Sequence, residues 1–180
     1  MLLKKIKLLI ADDHRLFIEG VRFLLTNEFD LNLIAFALNG KEVIDKCNKE
    51  KFDLILMDVN MPVINGIEAT RQIKSLHPNI KIIMVSMLND LPTINKALDA
   101  GVDGYILKNA GIDELLRSFK SVFKDEIYIS ESLTHYFTRD SINNLKTKVD
   151  YIKFSENMLN IFHIMPAKQY RMYQQRVQLC

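Results

Sequence analysis

Three aspartates and a lysine stand out because each lies where a short apolar run ends. Asp12 and Asp13 follow the first such run, Asp58 ends the third and Lys108 follows the fifth. Parallel strands place their carboxyl ends at one edge of a sheet, so we expect these side chains to meet there. Three carboxylates about 4 Å apart would repel each other by several kcal/mol, and a hard divalent cation would offset that repulsion.

These groups, together with Ser86 at the end of the fourth run, have the composition of a phosphoryl-transfer site. A cation and Lys108 would neutralise phosphoryl oxygens, the Ser86 hydroxyl would donate a hydrogen bond, and one aspartate would attack phosphorus. His14 follows the acid pair, but hard Mg²⁺ prefers oxygen ligands. We therefore interpret His14 as a surface residue at the start of a helix.

The elements that position these residues alternate along the first two thirds of the chain. Continuous apolar runs indicate buried strands, and apolar residues three or four apart indicate helices. Strands are expected at residues 5–11, 31–37, 52–58, 81–86 and 105–107, and helices at 16–25, 39–49, 66–76, 90–100 and 113–124. Five strand–helix units with short connections predict an α/β fold, with a five-stranded parallel, doubly wound sheet.

The residues at the strand ends resemble the receiver domain of two-component response regulators, a flavodoxin-like fold. The resemblance covers about residues 5–125 and is carried by Asp12-Asp13, Asp58 within Leu-Met-Asp-Val-Asn-Met-Pro, Ser86, and Lys108 after Gly-Tyr-Ile-Leu. The runs Ala-Asp-Asp-His-Arg-Leu-Phe, Gly-Ile-Glu-Ala-Thr and Asp-Ala-Gly-Val-Asp-Gly-Tyr further resemble the LuxR/NarL-type branch. Members of that branch carry a helix-turn-helix output domain.

The resemblance implies roles for the residues at the acidic edge. Asp58 would be the phosphoacceptor, taking a phosphoryl group from a sensor histidine kinase. Asp13, Asp58 and the backbone carbonyl of Asn60 would ligate Mg²⁺, with Asp12 acting largely through water. Lys108 would pair with the phosphate. The chain would therefore not be an enzyme in the usual sense, although it would assist its own phosphorylation and dephosphorylation.

The resemblance also implies a switch. Ser86 would hydrogen-bond a phosphoryl oxygen and move toward it on activation, and Tyr105 would follow by turning inward. The expected result is a changed surface on the fourth helix, the fifth strand and the fifth helix. Receiver domains often form homodimers or contact partners through this face.

Residues 126–180 depart from the family. Residues 126–153 are polar and predict a linker, whereas 154–180 predict a truncated or degenerate remnant of the output domain. A four-helix DNA-binding domain needs roughly 60 residues, more than the segment 154–180 offers. The spacing of apolar residues predicts one short amphipathic helix over 155–165. We expect a short, mainly helical tail without an intact DNA-binding domain, and no DNA-binding residue is identified.

Composition narrows the class of protein. The chain has 180 residues, a net charge of +2, two cysteines that form no disulfide framework, and no apolar run of membrane-spanning length. We expect a cytoplasmic protein that does not enter the membrane. Two alternatives stay open: a receiver acting only through protein contacts, and a Mg²⁺-dependent aspartyl-phosphate hydrolase. The hydrolase needs a second acid two residues after the nucleophile, where Asn60 stands.

Overall fold

Strands and helices alternate along the chain, as the sequence predicts. The structure, a computed structural model, describes residues 6–28 and 33–136. The strands are β1 (Lys7–Ala11), β2 (Leu33–Ala37), β3 (Leu54–Asp58), β4 (Lys81–Ser86), β5 (Gly104–Leu107) and β6 (Tyr128–Ile129). The helices are α1 (Arg15–Glu28), α2 (Gly40–Lys49), α3 (Gly66–Leu76), α4 (Leu91–Asp99) and α5 (Ile112–Val122). A 3₁₀ helix follows at Glu131–Tyr136.

All the strands pair in parallel within one sheet, in the order β2-β1-β3-β4-β5-β6. The direction in which strands are added reverses beside β1, because β2 lies on one side of β1 and β3 on the other. The register pairs Ala11 with Met57. The next residue in each strand direction is an aspartate, so this register brings Asp12 level with Asp58. Such a reversal point is where doubly wound sheets bind ligands.

The core lies on both faces of the sheet, which explains why the strands are apolar without alternation. Helices α1 and α5 cover one face. Their buried side chains form one cluster with alternate strand residues, including Ile18, Leu25, Leu115, Phe119, Leu8, Ile10, Leu54, Leu56 and Ile83. The intervening strand residues, such as Leu9, Ile55 and Met84, are equally buried. The framework that carries the strand ends is therefore packed from both sides.

The sixth strand corrects the prediction of a five-stranded sheet. Tyr128 pairs with Gly104 and Ile129 with Tyr105, so β6 extends the sheet beyond β5. Residues 128–136 lie within the predicted linker, yet they carry β6 and the 3₁₀ helix, whose Leu133 is buried. A two-residue strand is too short to produce a readable apolar period, which is why the sequence gives no sign of it.

The predicted remnant at 154–180, with its amphipathic helix, lies outside the described residues. So does the linker beyond Tyr136. Within the described part of the chain, no helix combines the length and the apolar character needed to cross a bilayer.

Candidate functional site

Four side chains from two neighbouring strands converge at the carboxyl edge of the sheet. Asp12, Asp13 and His14 follow β1, and Asp58 is the last residue of β3. One ligand atom from each of these four residues can be chosen so that all lie within 4.8 Å of one another. The structure therefore brings together the three aspartates that the sequence predicts to meet.

Burial differs among the three aspartates, which we call the acidic cluster. Asp12 and Asp58 are only 1% and 4% exposed. The Asp13 side chain is 37% exposed, so it stands at the mouth of the site. Buried carboxylates lose the water that stabilises their charge, and they need a cation or hydrogen-bond donors in its place.

Lys108 is the cation that the chain supplies to the two buried carboxylates. Its Nζ lies 2.7 Å from Asp12 Oδ2 and 3.0 Å from Asp58 Oδ2. The ammonium also lies 4.9 Å from the centre of the Phe17 ring, within range of a cation–π interaction. The sequence pattern treats Phe17 only as an apolar helix residue and so misses this contact. Among the residues that the structure describes, one ammonium faces three carboxylates, which leaves the acidic cluster with excess negative charge.

Burial is the main influence on the pKa of Asp58. Burial raises the pKa of the Asp58 carboxyl above its usual value, and the nearby charge of Asp12 raises it further. Lys108 and a hydrogen bond donated by the backbone N–H of Asn60 lower the pKa, but they do not cancel the increase. A second cation at this position would relieve the cost of ionising Asp58.

The pKa of Lys108 is also raised, which for an ammonium group favours the charged form. Burial alone would lower the pKa of its ammonium, but hydrogen bonds to Asp12 and Asp58, and their charges, raise it above the usual value. The ammonium therefore stays charged at neutral pH and remains a partner for anionic oxygens.

The donor set of the acidic cluster fits a hard divalent cation. Carboxylate oxygens from three residues lie close together, and such oxygens are the ligands that Mg²⁺ accepts most readily. The structure therefore supports a site for a hard divalent cation at the acidic cluster. The backbone N–H of Asn60 donates a hydrogen bond to the Asp58 carboxylate. Ligation by the Asn60 carbonyl stays a prediction.

His14 lies closer to the acidic cluster than the sequence analysis assumed. Its ring Nδ1 lies 2.8 Å from Asp13 Oδ1 and 3.2 Å from Asp12 Oδ1, while its side chain is 72% exposed. The residue is on the surface before α1, as expected, yet it contacts both acids. Its place beside the acid pair is the only signal in the sequence for this contact.

Ser86 and Tyr105 form a second group at the same edge, around the backbone of Leu88. The Ser86 Oγ accepts a hydrogen bond from Leu88 N at 3.1 Å, and the Tyr105 hydroxyl donates to Leu88 O at 2.8 Å. Burial raises the pKa of the Tyr105 phenol, while a hydrogen bond with Ser86 opposes the increase. The Tyr105 ring is fully buried, so in this structure it already lies inward. Its predicted movement on activation stays a prediction.

Gly66 holds the loop after β3 close to Asp58. Its N–H donates to the Val59 carbonyl at 2.9 Å. A Cβ at position 66 would lie 1.9 Å from the backbone oxygen of Asp58, so any side chain would displace the loop. The Asn65-Gly66 pair predicts a turn from sequence, but it does not reveal this close approach.

A cleft of about 470 Å³ opens beside the site, between α3 and α4. Its lining includes Asn60 and Leu88, which lie two residues beyond Asp58 and Ser86 respectively. Arg71 of α3 and Lys96 of α4 contribute cations to the lining. We call this space the α3–α4 cleft. The apolar spacing of either helix gives no sign of this cleft, because its walls belong to two helices that are separated by β4.

The geometry suits attack on phosphorus by a carboxylate. In such a reaction Asp58 would supply the nucleophile, Lys108 a positive charge for phosphoryl oxygens, and Ser86 a hydroxyl at the same edge. Asn60 carries a neutral amide, which cannot act as the general acid of an aspartyl-phosphate hydrolase. The arrangement therefore favours a phosphoacceptor over that enzyme.

Comparison with known proteins agrees with this geometry. Residues 8–120 match the family model for the response regulator receiver domain. The transcriptional regulatory protein DegU of Brevibacillus brevis is 35% identical over 136 residues, which are 76% of this chain and 58% of DegU. The response regulator GacA of Pseudomonas syringae pv. syringae (strain B728a) is 33% identical over 156 residues, which are 87% of this chain and 73% of GacA.

A solved structure shows the same fold. A two-component response regulator of the LuxR family from Aurantimonas sp. SI85-9A1 superposes with a TM-score of 0.69 at 24% sequence identity. The match covers 80% of this chain and 99% of that one. At this identity the likeness extends to the fold alone.

Proposed function

Because this chain belongs to the response regulator receiver family, we propose that it is a signalling protein whose state is set by phosphorylation of Asp58. One observation carries the proposal. The Asp58 carboxylate lies at the end of β3, 3.0 Å from the ammonium of Lys108 and within the acidic cluster. A nucleophile, a cation for phosphoryl oxygens and a set of metal-binding carboxylates therefore meet at one point.

In the proposed reaction, a carboxylate oxygen of Asp58 attacks the phosphorus of a phosphohistidine. The new P–O bond forms as the P–N bond breaks, and the imidazole nitrogen keeps the electron pair. Lys108 holds a phosphoryl oxygen, and the Ser86 hydroxyl donates to another. Mg²⁺ bound by Asp13 and Asp58 would supply positive charge that offsets the carboxylates and the phosphoryl oxygens.

We propose a sensor histidine kinase as the phosphodonor and the cytoplasm as the location. The protein would not be an enzyme in the usual sense, because its own aspartate is the substrate. DegU is described as a transcriptional regulatory protein, and this chain spans 58% of its length. We propose that phosphorylation changes the face formed by α4, β5 and α5, through which the chain would contact partners or form a homodimer.

The test is direct labelling of the full chain with acetyl phosphate and Mg²⁺, followed by mass spectrometry of the intact protein. We expect a gain of one phosphoryl group and its loss in the D58N variant, which keeps the side-chain shape but removes the nucleophile. D45N, at an exposed position in α2, is the matched control and should label like the parent. Labelling of D58N at the parent rate would refute the assignment.

A further inference from the structure

His14 brings a nitrogen donor to the mouth of the acidic cluster, and the mechanism above gives it no role. Its ring Nδ1 lies 2.8 Å from Asp13 Oδ1 and 3.2 Å from Asp12 Oδ1. Two ligand atoms that are each about 2.1 Å from one ion lie about 3.0 Å apart in octahedral geometry and about 3.4 Å apart in tetrahedral geometry. The imidazole and the two carboxylates therefore have nearly the spacing of neighbouring ligands of one ion.

The two oxygens of Asp12 separate His14 from the lysine of the site. Asp12 Oδ2 faces Lys108 Nζ at 2.7 Å, whereas Oδ1 accepts the backbone N–H of His14 at 2.9 Å and faces the His14 ring. The ammonium and the imidazole thus approach different oxygens. When Asp58 is included, one ligand atom from each residue lies within 4.8 Å of the others, not far above the roughly 4.2 Å between opposite ligands of an octahedral ion.

The surroundings of His14 fix its backbone and keep its ring accessible. The His14 carbonyl accepts hydrogen bonds from the N–H groups of Phe17 at 3.0 Å and Ile18 at 3.3 Å, at the start of α1. The His14 side chain is 72% exposed and that of Asp13 is 37% exposed. A hydrated ion can therefore reach the nitrogen and the outer carboxylate from solvent.

We propose that His14 and the acidic cluster together form a site for a borderline transition-metal ion such as Zn²⁺, with His14 Nδ1 as the ligand that selects this ion over Mg²⁺. Mg²⁺ prefers oxygen and gains little from an imidazole, whereas Zn²⁺ binds nitrogen and carboxylate oxygen alike. The inference rests on the metal site within the proposed function and names a second class of ion for it. It does not depend on phosphoryl transfer.

The test is isothermal titration calorimetry of the full chain with Zn²⁺ and, separately, with Mg²⁺. D13N identifies the site, because it should weaken the binding of both ions. H14N keeps a polar side chain but removes the imidazole, so it should weaken this Asp13-dependent binding of Zn²⁺ about tenfold or more. Its affinity for Mg²⁺ should stay within about twofold of that of the parent. H135N, at an exposed position in the 3₁₀ helix, is the matched control and should bind Zn²⁺ like the parent.

X-ray absorption at the zinc edge gives a second measurement on the equimolar complex. The spectrum of the parent should contain the scattering of a coordinated imidazole, and the spectrum of H14N should lack it. This signature reports the ligand itself, so a merely structural role of His14 would not produce the difference.

The remaining outcomes would overturn the inference. Equal Zn²⁺ affinity of H14N and the parent would refute ligation by His14. An equal loss of Zn²⁺ and Mg²⁺ affinity would also refute it, because His14 would then act through charge or structure. Zn²⁺ binding that D13N leaves intact would show an adventitious ion only. Failure of the proposed function is distinguishable, since a parent that binds Zn²⁺ through His14 but is not labelled at Asp58 would refute the phosphoacceptor alone.

Discussion

The carboxyl and amino edges of the sheet carry charge clusters that differ in their balance of positive and negative charge. At the carboxyl edge, the acidic cluster has three carboxylates and one ammonium, that of Lys108. At the amino edge, two lysines meet two aspartates. We call this second group the balanced cluster; it consists of Lys74, Lys81, Asp103 and Asp125.

Within the balanced cluster each buried charge has partners of the opposite sign and backbone partners as well. Asp103 accepts from Lys74, Lys81 and the N–H of Ile82, and Lys74 also donates to the Ile80 carbonyl at 2.8 Å. The aspartates raise the pKa of Lys81, although burial alone would lower it. A buried charge cluster that is neutral and hydrogen-bonded ties elements together. One with excess charge indicates a place for a ligand.

Breaking the balanced cluster should have the largest effect on folding. D103N leaves the buried ammonium of Lys74 without its carboxylate, so we expect a loss of about 3–5 kcal/mol in the free energy of unfolding. D125N is the control, because Asp125 is 79% exposed and its ion pair should contribute under about 1 kcal/mol. Urea denaturation measures both variants.

Labelling of D103N at Asp58 should keep the parent rate under native conditions, since the balanced cluster lies at the other end of the sheet. Adding K74M to D103N should recover part of the lost stability, because the buried ammonium that has lost the Asp103 carboxylate is then absent. Equal stability of D103N and the parent would contradict a structural role for the balanced cluster.

The acidic cluster should respond to metal instead. Mg²⁺ that binds only the folded state should raise its stability by about 1–3 kcal/mol at concentrations of tens to a hundred times the Kd. D13N should lose most of this gain, whereas D103N should keep it. Thermal melts with and without Mg²⁺ at constant ionic strength separate binding from screening. An unchanged melting temperature in the parent would contradict a metal site.

The smallest effect concerns the pH dependence of the metal-free protein. Because the pKa of Asp58 is raised in the folded state, the folded protein binds more protons than the unfolded chain in the acid range. The Asp58 contribution to stability therefore falls as pH rises from the unfolded value of 3.8 through the raised folded value. D58N should lack this decrease.

At neutral pH and without metal, D58N should therefore be more stable than the parent, by at most about 1 kcal/mol after allowance for screening. Urea denaturation across the acid range in a chelating buffer measures the difference. A D58N variant that is less stable than the parent at neutral pH would show that Lys108 outweighs burial at this residue.

The sequence predicts the acidic cluster well because each of its residues has a local signal. Each of Asp12, Asp58 and Lys108 ends an apolar run, and the parallel topology then requires the ends to meet. The balanced cluster has no such signal. Lys74 lies on a helix and Asp103 in a loop 29 residues later, and each would be read as a surface charge. Only the packed structure shows that they are buried together.

The same distinction holds for the rest of the site. The type of residue at positions 86 and 105 suggests a switch, but the inward ring of Tyr105 depends on packing that no local pattern encodes. The α3–α4 cleft arises from two helices separated in the chain, so its lining cannot be read along either one. Asn60 contributes to the acidic cluster through its backbone N–H and to the α3–α4 cleft through its position.

Strand β6 affects how readily the protein associates with other molecules through the edge of its sheet. It covers the outer edge of the amino half of β5, where Ser130 N also donates to the Tyr105 carbonyl at 2.8 Å. Bare sheet edges recruit strands from other molecules and initiate aggregation. A fragment cut after residue 125 would expose this edge, whereas one ending after Tyr136 would keep it covered. The short strand therefore protects the amino half of this edge of the receiver against edge-to-edge association.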